Sequence, residues 1–239
     1  VTRPHTAMVL AAGLGTRLRP LTLTRPKALV EVGGKALIDH MLDRLVAAGV
    51  RRAIVNVHAF ADDLEAHVSR RADLEVLISD ERAAPLETGG GLKRARPLLG
   101  VDPIFVCNID SVWIEHGAPA LDGLIAAWDP RQVDDVLLLA PLERTVGFDG
   151  PGDFFRDDAG ALTPRDPSPT APLAYIGAHL MDPGLIDAWP DGPHGIFPHW
   201  QAMSRAGRLH GAVLDGLWMH VGDPVALAEA EKILGAAGS

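Results

Sequence analysis

Strand-length apolar runs alternate with amphipathic stretches over roughly the first 140 residues, and that rhythm restricts the fold more than any other feature of the chain. Residues 7–11, 53–57, 74–79, 104–108 and 136–140 are apolar runs of strand length. Between the first two, Leu37, Ile38, Met41, Leu42, Leu45 and Val46 fall on one helical face, Asp39, Asp43 and Arg44 fall on the other, and Gly49 supplies a stop. Residues 61–70 read as a second helix, and 90–99 as a third, entered through a glycine-rich turn. Repeated βαβ units predict an α/β fold: a Rossmann-like mixed, mainly parallel sheet flanked by helices. Ligands of such sheets sit at the carboxyl ends of the strands, which is where the loop after residue 11 and Asp110 both fall.

Beyond residue 140 the texture changes. Residues 141–172 are rich in Gly, Pro and Asp, and Phe154-Phe155 followed by Asp157-Asp158-Ala159-Gly160 reads as a short hairpin or an inserted loop. Strands are expected at 173–181, 209–214 and 217–221, a helix at 197–206, and a closing helix at 224–234 with Asp223 as its cap and Pro224 at its first position. No repeat, low-complexity tract or linker divides the chain, so residues 1–239 are read as one domain.

With 239 residues, 47% of them apolar and 22% charged, the chain can bury an ordinary core, which disfavours disorder. The run at 7–12 is too short for a membrane span and is interrupted by Gly13 and Gly15, so no membrane partner and a cytoplasmic location are expected. A single cysteine, Cys107, excludes an internal disulfide framework, and its apolar neighbours mark a buried strand thiol rather than a nucleophile. Acids outnumber bases by 31 to 22 and no long basic face is visible, which argues against nucleic acid. Yet the first thirty residues carry Arg3, Arg17, Arg19, Arg25 and Lys27 and no acid at all. A local positive field in an acidic protein points to a polyanionic ligand.

Those bases flank Leu10-Ala11-Ala12-Gly13-Leu14-Gly15-Thr16-Arg17-Leu18-Arg19-Pro20-Leu21-Thr22, which leads to Pro26-Lys27-Ala28-Leu29. A dinucleotide fingerprint would need glycine where Leu18 stands, and a Walker loop would need Gly-Lys-Ser/Thr at its end. An ordinary turn would explain the glycines but not the bases. Glycines at 13 and 15 let backbone N–H groups approach phosphate, Arg17 offers a planar charge and Lys27 a compact one. Arg19 and Arg25 suit a solvated surface equally well.

The stretch resembles the signature of the sugar-phosphate nucleotidyltransferases, L-A-A-G-x-G-T-R-L-x-P-L-T followed by P-K-x-L. The resemblance implies a GT-A-like nucleotidyltransferase fold without a C-terminal β-helix, in which residues 1–140 mainly bind a nucleoside triphosphate and 141–239 mainly bind the sugar. It implies that Ala11, Ala12, Gly13, Gly15, Thr16, Arg17 and Lys27 hold the triphosphate. Pro85-Leu86-Glu87-Thr88-Gly89-Gly90-Gly91-Leu92 stands where the family reads the base, implying nucleotide contacts from Glu87, Thr88 and Gly89; the glycines alone would also serve a flexible helix entry. Asn108-Ile109-Asp110 resembles the family's strand-end N-x-D, whose Asp holds Mg²⁺. A strand-end Asp is otherwise an ordinary turn residue, but a hard oxygen ligand is needed beside a triphosphate.

The family's second metal ligand is an Asp in a late W-x-D-x-G segment. This chain reads Trp218-Met219-His220-Val221-Gly222-Asp223, which leaves His220 or Asp223 as candidates and makes the departure a genuine one. Asn56-Val57-His58 also resembles a family segment, with His58 read as structural for want of a base partner. Asn108, Asp153, Tyr175 and Gly177 are the implied sugar contacts, with Gly152-Asp153-Phe154 similar to a segment of the bacterial N-acetylmuramate 1-phosphate uridylyltransferases. Trp113 and Trp200 suit core packing or ligand stacking equally. The implied reaction joins an NTP to a sugar 1-phosphate with Mg²⁺, Arg17, Lys27 and Asp110 as the catalytic set. The substrate pair so implied is UTP and N-acetylmuramate 1-phosphate, in cell-wall recycling, with GTP and mannose 1-phosphate as the alternative. A catalytically weak nucleotide-sugar binder or regulatory protein is the reading from another class, prompted by His220. A monomer or small homo-oligomer is expected.

Overall fold

A computed structural model of the chain describes residues 3–237. β1 (Thr6–Leu10) leads through the glycine loop and a short antiparallel pair, β2 (Glu31–Val32) and β3 (Lys35–Ala36), into α1 (Leu37–Ala47). β4 (Arg52–Val57), α2 (Ala61–Val68), β5 (Glu75–Asp80), α3 (Glu87–Leu99) and β6 (Ile104–Asn108) follow. β1 pairs in parallel with both β4 and β6, and β4 with β5, so winding reverses between β1 and β6. At such a switch point the loops after the two strands part and leave a crevice.

The second half wraps this parallel centre with antiparallel strands. After β7 (Ser111–Glu115) and α4 (Ala120–Ala127) come β8 (Asp135–Pro141), β9 (Thr145–Val146), β10 (Phe154–Arg156), β11 (Leu162–Pro164) and β12 (Leu173–Met181). α5 (Phe197–Arg205), β13 (Leu209–Val213), β14 (Gly216–His220) and α6 (Pro224–Ala237) complete the chain. β12 runs antiparallel to β6 and to β8, β13 runs parallel to β8, and the β10–β11 hairpin joins β12 where Phe154 faces Leu173. The result is a mixed, mainly parallel sheet of nine strands flanked by helices, with β7, β14 and β9 in a smaller sheet beside it.

Alternation along the strands divides the core between the two faces. Ala7, Val9, Val55, Phe105 and Cys107 pack with α1, α2 and α4 on one side. Met8, Ile54, Ile104 and Val106 pack with Leu92 and Ala95 of α3 and Trp200 and Met203 of α5 on the other. Trp113 and Trp200 are therefore core residues, and their indole N–H groups donate to Glu115 and Asp135. Cys107 is fully buried, which pushes its thiol up, away from the nucleophilic range. Among the described residues no helix is long and apolar enough to cross a membrane.

Of the two readings of the segment around Phe154 to Gly160, the hairpin is the one that forms, as β10–β11. Other elements depart from the sequence pattern. α3 begins at Glu87, so the three glycines lie inside the helix instead of forming a turn before it. β7 and α4 escape the pattern: β7 follows β6 after only two residues, and α4 is apolar almost all round, leaving no polar face to mark its period.

Candidate active site

The crevice between β1 and β6 gathers residues that lie far apart in the chain. Gly15 occupies the left-handed region at φ +60°, and a Cβ there would lie 2.9 Å from both Lys27 Cβ and Thr22 Cγ2. The loop therefore folds closely over Lys27, with the Thr22 hydroxyl donating to the Gly15 carbonyl at 2.8 Å. A Cβ on Gly13 would meet nothing within 4 Å, so the packing inside the protein leaves this side of the loop open.

Beneath the loop, Lys27 Nζ lies 2.7 Å from Asp110 Oδ2, with the lysine side chain 10% exposed and the aspartate 21%. β14 reaches the same point because its antiparallel register on β7 sets His220 opposite Ser111. His220 Nε2 is 3.5 Å from Asp110 Oδ2, its Nδ1 faces the Gly147 carbonyl at 3.3 Å, and the Val221 N–H donates to the Asp110 carbonyl. Burial by itself would push the Asp110 carboxyl up, but the His220 hydrogen bond and the Lys27 charge overcome it and hold the group well below the usual carboxylate range. Arg17 is exposed and shares a cleft of about 520 Å³ with His220, Asp223 and Phe148. Asp223 caps α6, its Oδ1 accepting the Val225 and Ala226 N–H groups at 2.9 Å each.

On the other side of the loop a second cleft of about 260 Å³ is lined by Ala12, Gly13, Asn56, Glu81, Leu86, Glu87, Thr88 and Asn108 among others. The Ala11 and Ala12 N–H groups are held by the protein itself, donating to Asn56 Oδ1 at 2.6 and 3.2 Å. Gly89 is turned away from the cleft: its N–H donates to the His194 carbonyl, and a Cβ there would lie 2.4 Å from the His194 ring. A Cβ on Gly90 would lie 2.4 Å from the Gly192 carbonyl oxygen, and one on Gly91 2.9 Å from Glu81 Oε1. These glycines admit the 192–194 loop and Glu81, so close packing within the protein is what excludes a side chain at each of them.

Of the residues assigned to the sugar side, Asp153 and Tyr175 are tied together, the Asp153 carboxylate accepting the Tyr175 N–H at 2.9 Å. Burial raises the Asp153 carboxyl above its ordinary value, against the opposing effects of that bond and of Arg165. Gly177, at φ +84°, sits where a Cβ would lie 2.9 Å from Ser111 Oγ and 3.0 Å from Asn108 Cβ, so it brings β12 against the strand end that carries Asn108. Arg144 pairs with Asp215, Arg156 donates to the Gly211 carbonyl, and Arg165 to the Gly152 carbonyl. His58 is structural, its Nδ1 bonded to the Glu81 carbonyl at 2.8 Å. Glu81 was not singled out by any sequence signal; only the fold brings it to Asn56.

The fold and the crevice define a class. Residues 6–129 match the Nucleotidyl transferase family model, and the chain belongs to that family. It is 54% identical over 235 residues to the N-acetylmuramate alpha-1-phosphate uridylyltransferase of Caulobacter vibrioides, covering 97% of each chain. It is 34% identical to the Mannose-1-phosphate guanyltransferase of Neurospora crassa, over 91% of this chain but 61% of that longer one. Among solved structures, the inositol-1-phosphate CTP transferase from T. maritima superimposes with a TM-score of 0.79 over 98% of this chain and 96% of that one at 17% identity, a likeness of fold.

The family works with a divalent metal, and the donors here fit a hard cation of one kind. Among the described residues no three His, Cys, Asp or Glu side chains converge, so Asp110, His220 and Asp223 do not form one ligand cluster. Asp110 supplies a carboxylate in the crevice, with His220 as its neighbour. One carboxylate suits a small hard ion that keeps its waters and draws other ligands from substrate phosphates; it does not suit a closed structural site.

Proposed function

We propose that the chain transfers a nucleotidyl group from a nucleoside triphosphate to a sugar 1-phosphate. An oxygen of the sugar 1-phosphate forms a bond to the α-phosphorus, the bond to the leaving pyrophosphate breaks, and no covalent enzyme intermediate arises. The observation that carries this reading is the Lys27 and Asp110 pair lying with His220 beneath the glycine loop at the β1/β6 switch point. The attacking group is already an anion, so the protein has to align it and neutralise charge rather than supply a base. Lys27 and the exposed Arg17 bring that charge, and the loop amides beyond Ala12 face the phosphates. Asp110 would hold Mg²⁺, with His220 beside it; when bound, the ion neutralises and orients the triphosphate. Glu87 and Thr88 border the base, and Asn108, Asp153, Tyr175 and Gly177 form the sugar side.

UTP and N-acetylmuramate 1-phosphate are the substrates we favour, supported by identity over nearly the whole length of the Caulobacter uridylyltransferase. GTP and mannose 1-phosphate make the second reading, supported by the N. crassa relative. The experiment is pyrophosphate release with Mg²⁺ across four nucleoside triphosphates and the 1-phosphates of N-acetylmuramate, N-acetylglucosamine, glucose and mannose. Release with UTP and N-acetylmuramate 1-phosphate is expected. Silence across the matrix, with triphosphate still binding, would replace the enzyme with a nucleotide-binding regulator.

A further inference from the structure

Glu81 has no part in the chemistry above, yet it is a carboxylate only 3% exposed at the wall of the nucleotide cleft. Its Oε1 accepts from Asn56 Nδ2 at 2.8 Å and its Oε2 from the Leu86 N–H at 3.3 Å. Asn56 cannot turn its amide over, because Oδ1 already accepts from Ala11 and Ala12. Its NH₂ must therefore point at Glu81, which has to accept from two donors at once. A carboxylate has an acceptor at both ends; glutamine in either orientation would set a donor against a donor. Among the described residues no lysine, arginine or histidine side chain is paired with the Glu81 carboxylate in compensation, so these hydrogen bonds carry the cost of its burial. The absent Cβ of Gly91 makes room for the pair: built there, it would lie 2.9 Å from Glu81 Oε1 and 3.2 Å from Asn56 Nδ2.

We propose that Glu81 is a positioning residue: through Asn56 it sets the glycine loop, through Leu86 it sets the 85–88 segment, and so one carboxylate fixes both walls of the nucleotide cleft relative to each other. The inference rests on the reading of that cleft as the triphosphate site. It explains why the loop's first two amides are spent on a side chain from another strand. It also explains why the start of α3 is gripped from two sides, by Glu81 and by the His194 backbone.

The full chain tests it with Glu81→Gln, Asn56→Asp and the double variant, by steady-state kinetics and by calorimetric titration with UTP and GTP. Glu81→Gln breaks one contact and raises KM for UTP about tenfold, with KM for the sugar 1-phosphate unchanged. Asn56→Asp sets two carboxylates face to face and is worse. The double variant exchanges donor and acceptor: the new aspartate accepts from Ala11, Ala12 and the glutamine NH₂, while the glutamine oxygen accepts from Leu86. Its UTP affinity returns to within about threefold of wild type. A double variant as weak as the two singles combined, or one that does not fold, overturns the proposal, as does an equal rise in both KM values. If wild type turns over no substrate pair, the reaction fails while UTP affinity still reads the coupling; wild type that binds neither triphosphate overturns both.

Discussion

Replacing Lys27 by methionine keeps the apolar stem and removes the ammonium 2.7 Å from Asp110 Oδ2. Breaking a buried ion pair from one side typically costs about 3–5 kcal/mol, because the remaining charge is left uncompensated. Asp110 is about one-fifth exposed and keeps His220, so the loss at pH 7 is set at about 2–3 kcal/mol. In the wild type the depressed Asp110 carboxyl contributes stability above the ordinary carboxylate range and loses it as pH falls through the lower folded value. In Lys27→Met the Lys27 share of that depression is lost while the His220 hydrogen bond stays, so the carboxyl rises from its wild-type value. The variant's folded state then takes up a proton at a higher pH than the wild type's, and its deficit narrows as pH falls through the carboxylate range. Urea unfolding at pH 7 and pH 3 reads the difference, and Lys27→Met/Asp110→Asn is expected to recover most of the deficit at pH 7. A deficit that is the same at both pH values, or that widens in acid, would refute the reasoning; so would a double variant no more stable than the single.

Three further outcomes follow from the geometry. His220→Asp places a second carboxylate beside Asp110, so it should lower the melting temperature in a chelator yet lower the Mg²⁺ concentration for half-maximal turnover, both readable by thermal melts and a metal titration. Gly177→Ala forces a Cβ at φ +84° to within 2.9 Å of Ser111 Oγ and should cost about 3 kcal/mol in urea unfolding, where a loss under 1 would show that β12 can shift freely. Gly89→Ala drives a Cβ into the His194 ring and should raise KM for the triphosphate through Glu87 and Thr88 while leaving KM for the sugar 1-phosphate near wild type, as initial-rate kinetics would reveal.

What the chain declares locally survived folding intact. The short apolar runs at 7–11 and 53–57, the 3.6 period through Leu37, Met41 and Leu45, and the Asp223-Pro224 start are set by neighbours within a turn or two of backbone, so β1, β4, α1 and the cap of α6 can be read without the fold. The loop from Gly13 to Lys27 is equally legible, because glycine and base types are constrained by what the backbone there must approach. Only tertiary structure decides the rest. Asn56 and Glu81 are 25 residues apart and meet because β4 and β5 are parallel neighbours. His220 reaches Asp110 because the register of β14 on β7 sets it there, and a shift by one residue would turn its side chain to the other face. The glycines at 89–91 fill no role that their own sequence reveals, since the atoms that exclude a Cβ belong to Glu81, Gly192 and His194. Local patterns fix period and turn; which side chains face one another across a crevice depends on strand order and register, which no short stretch of sequence contains.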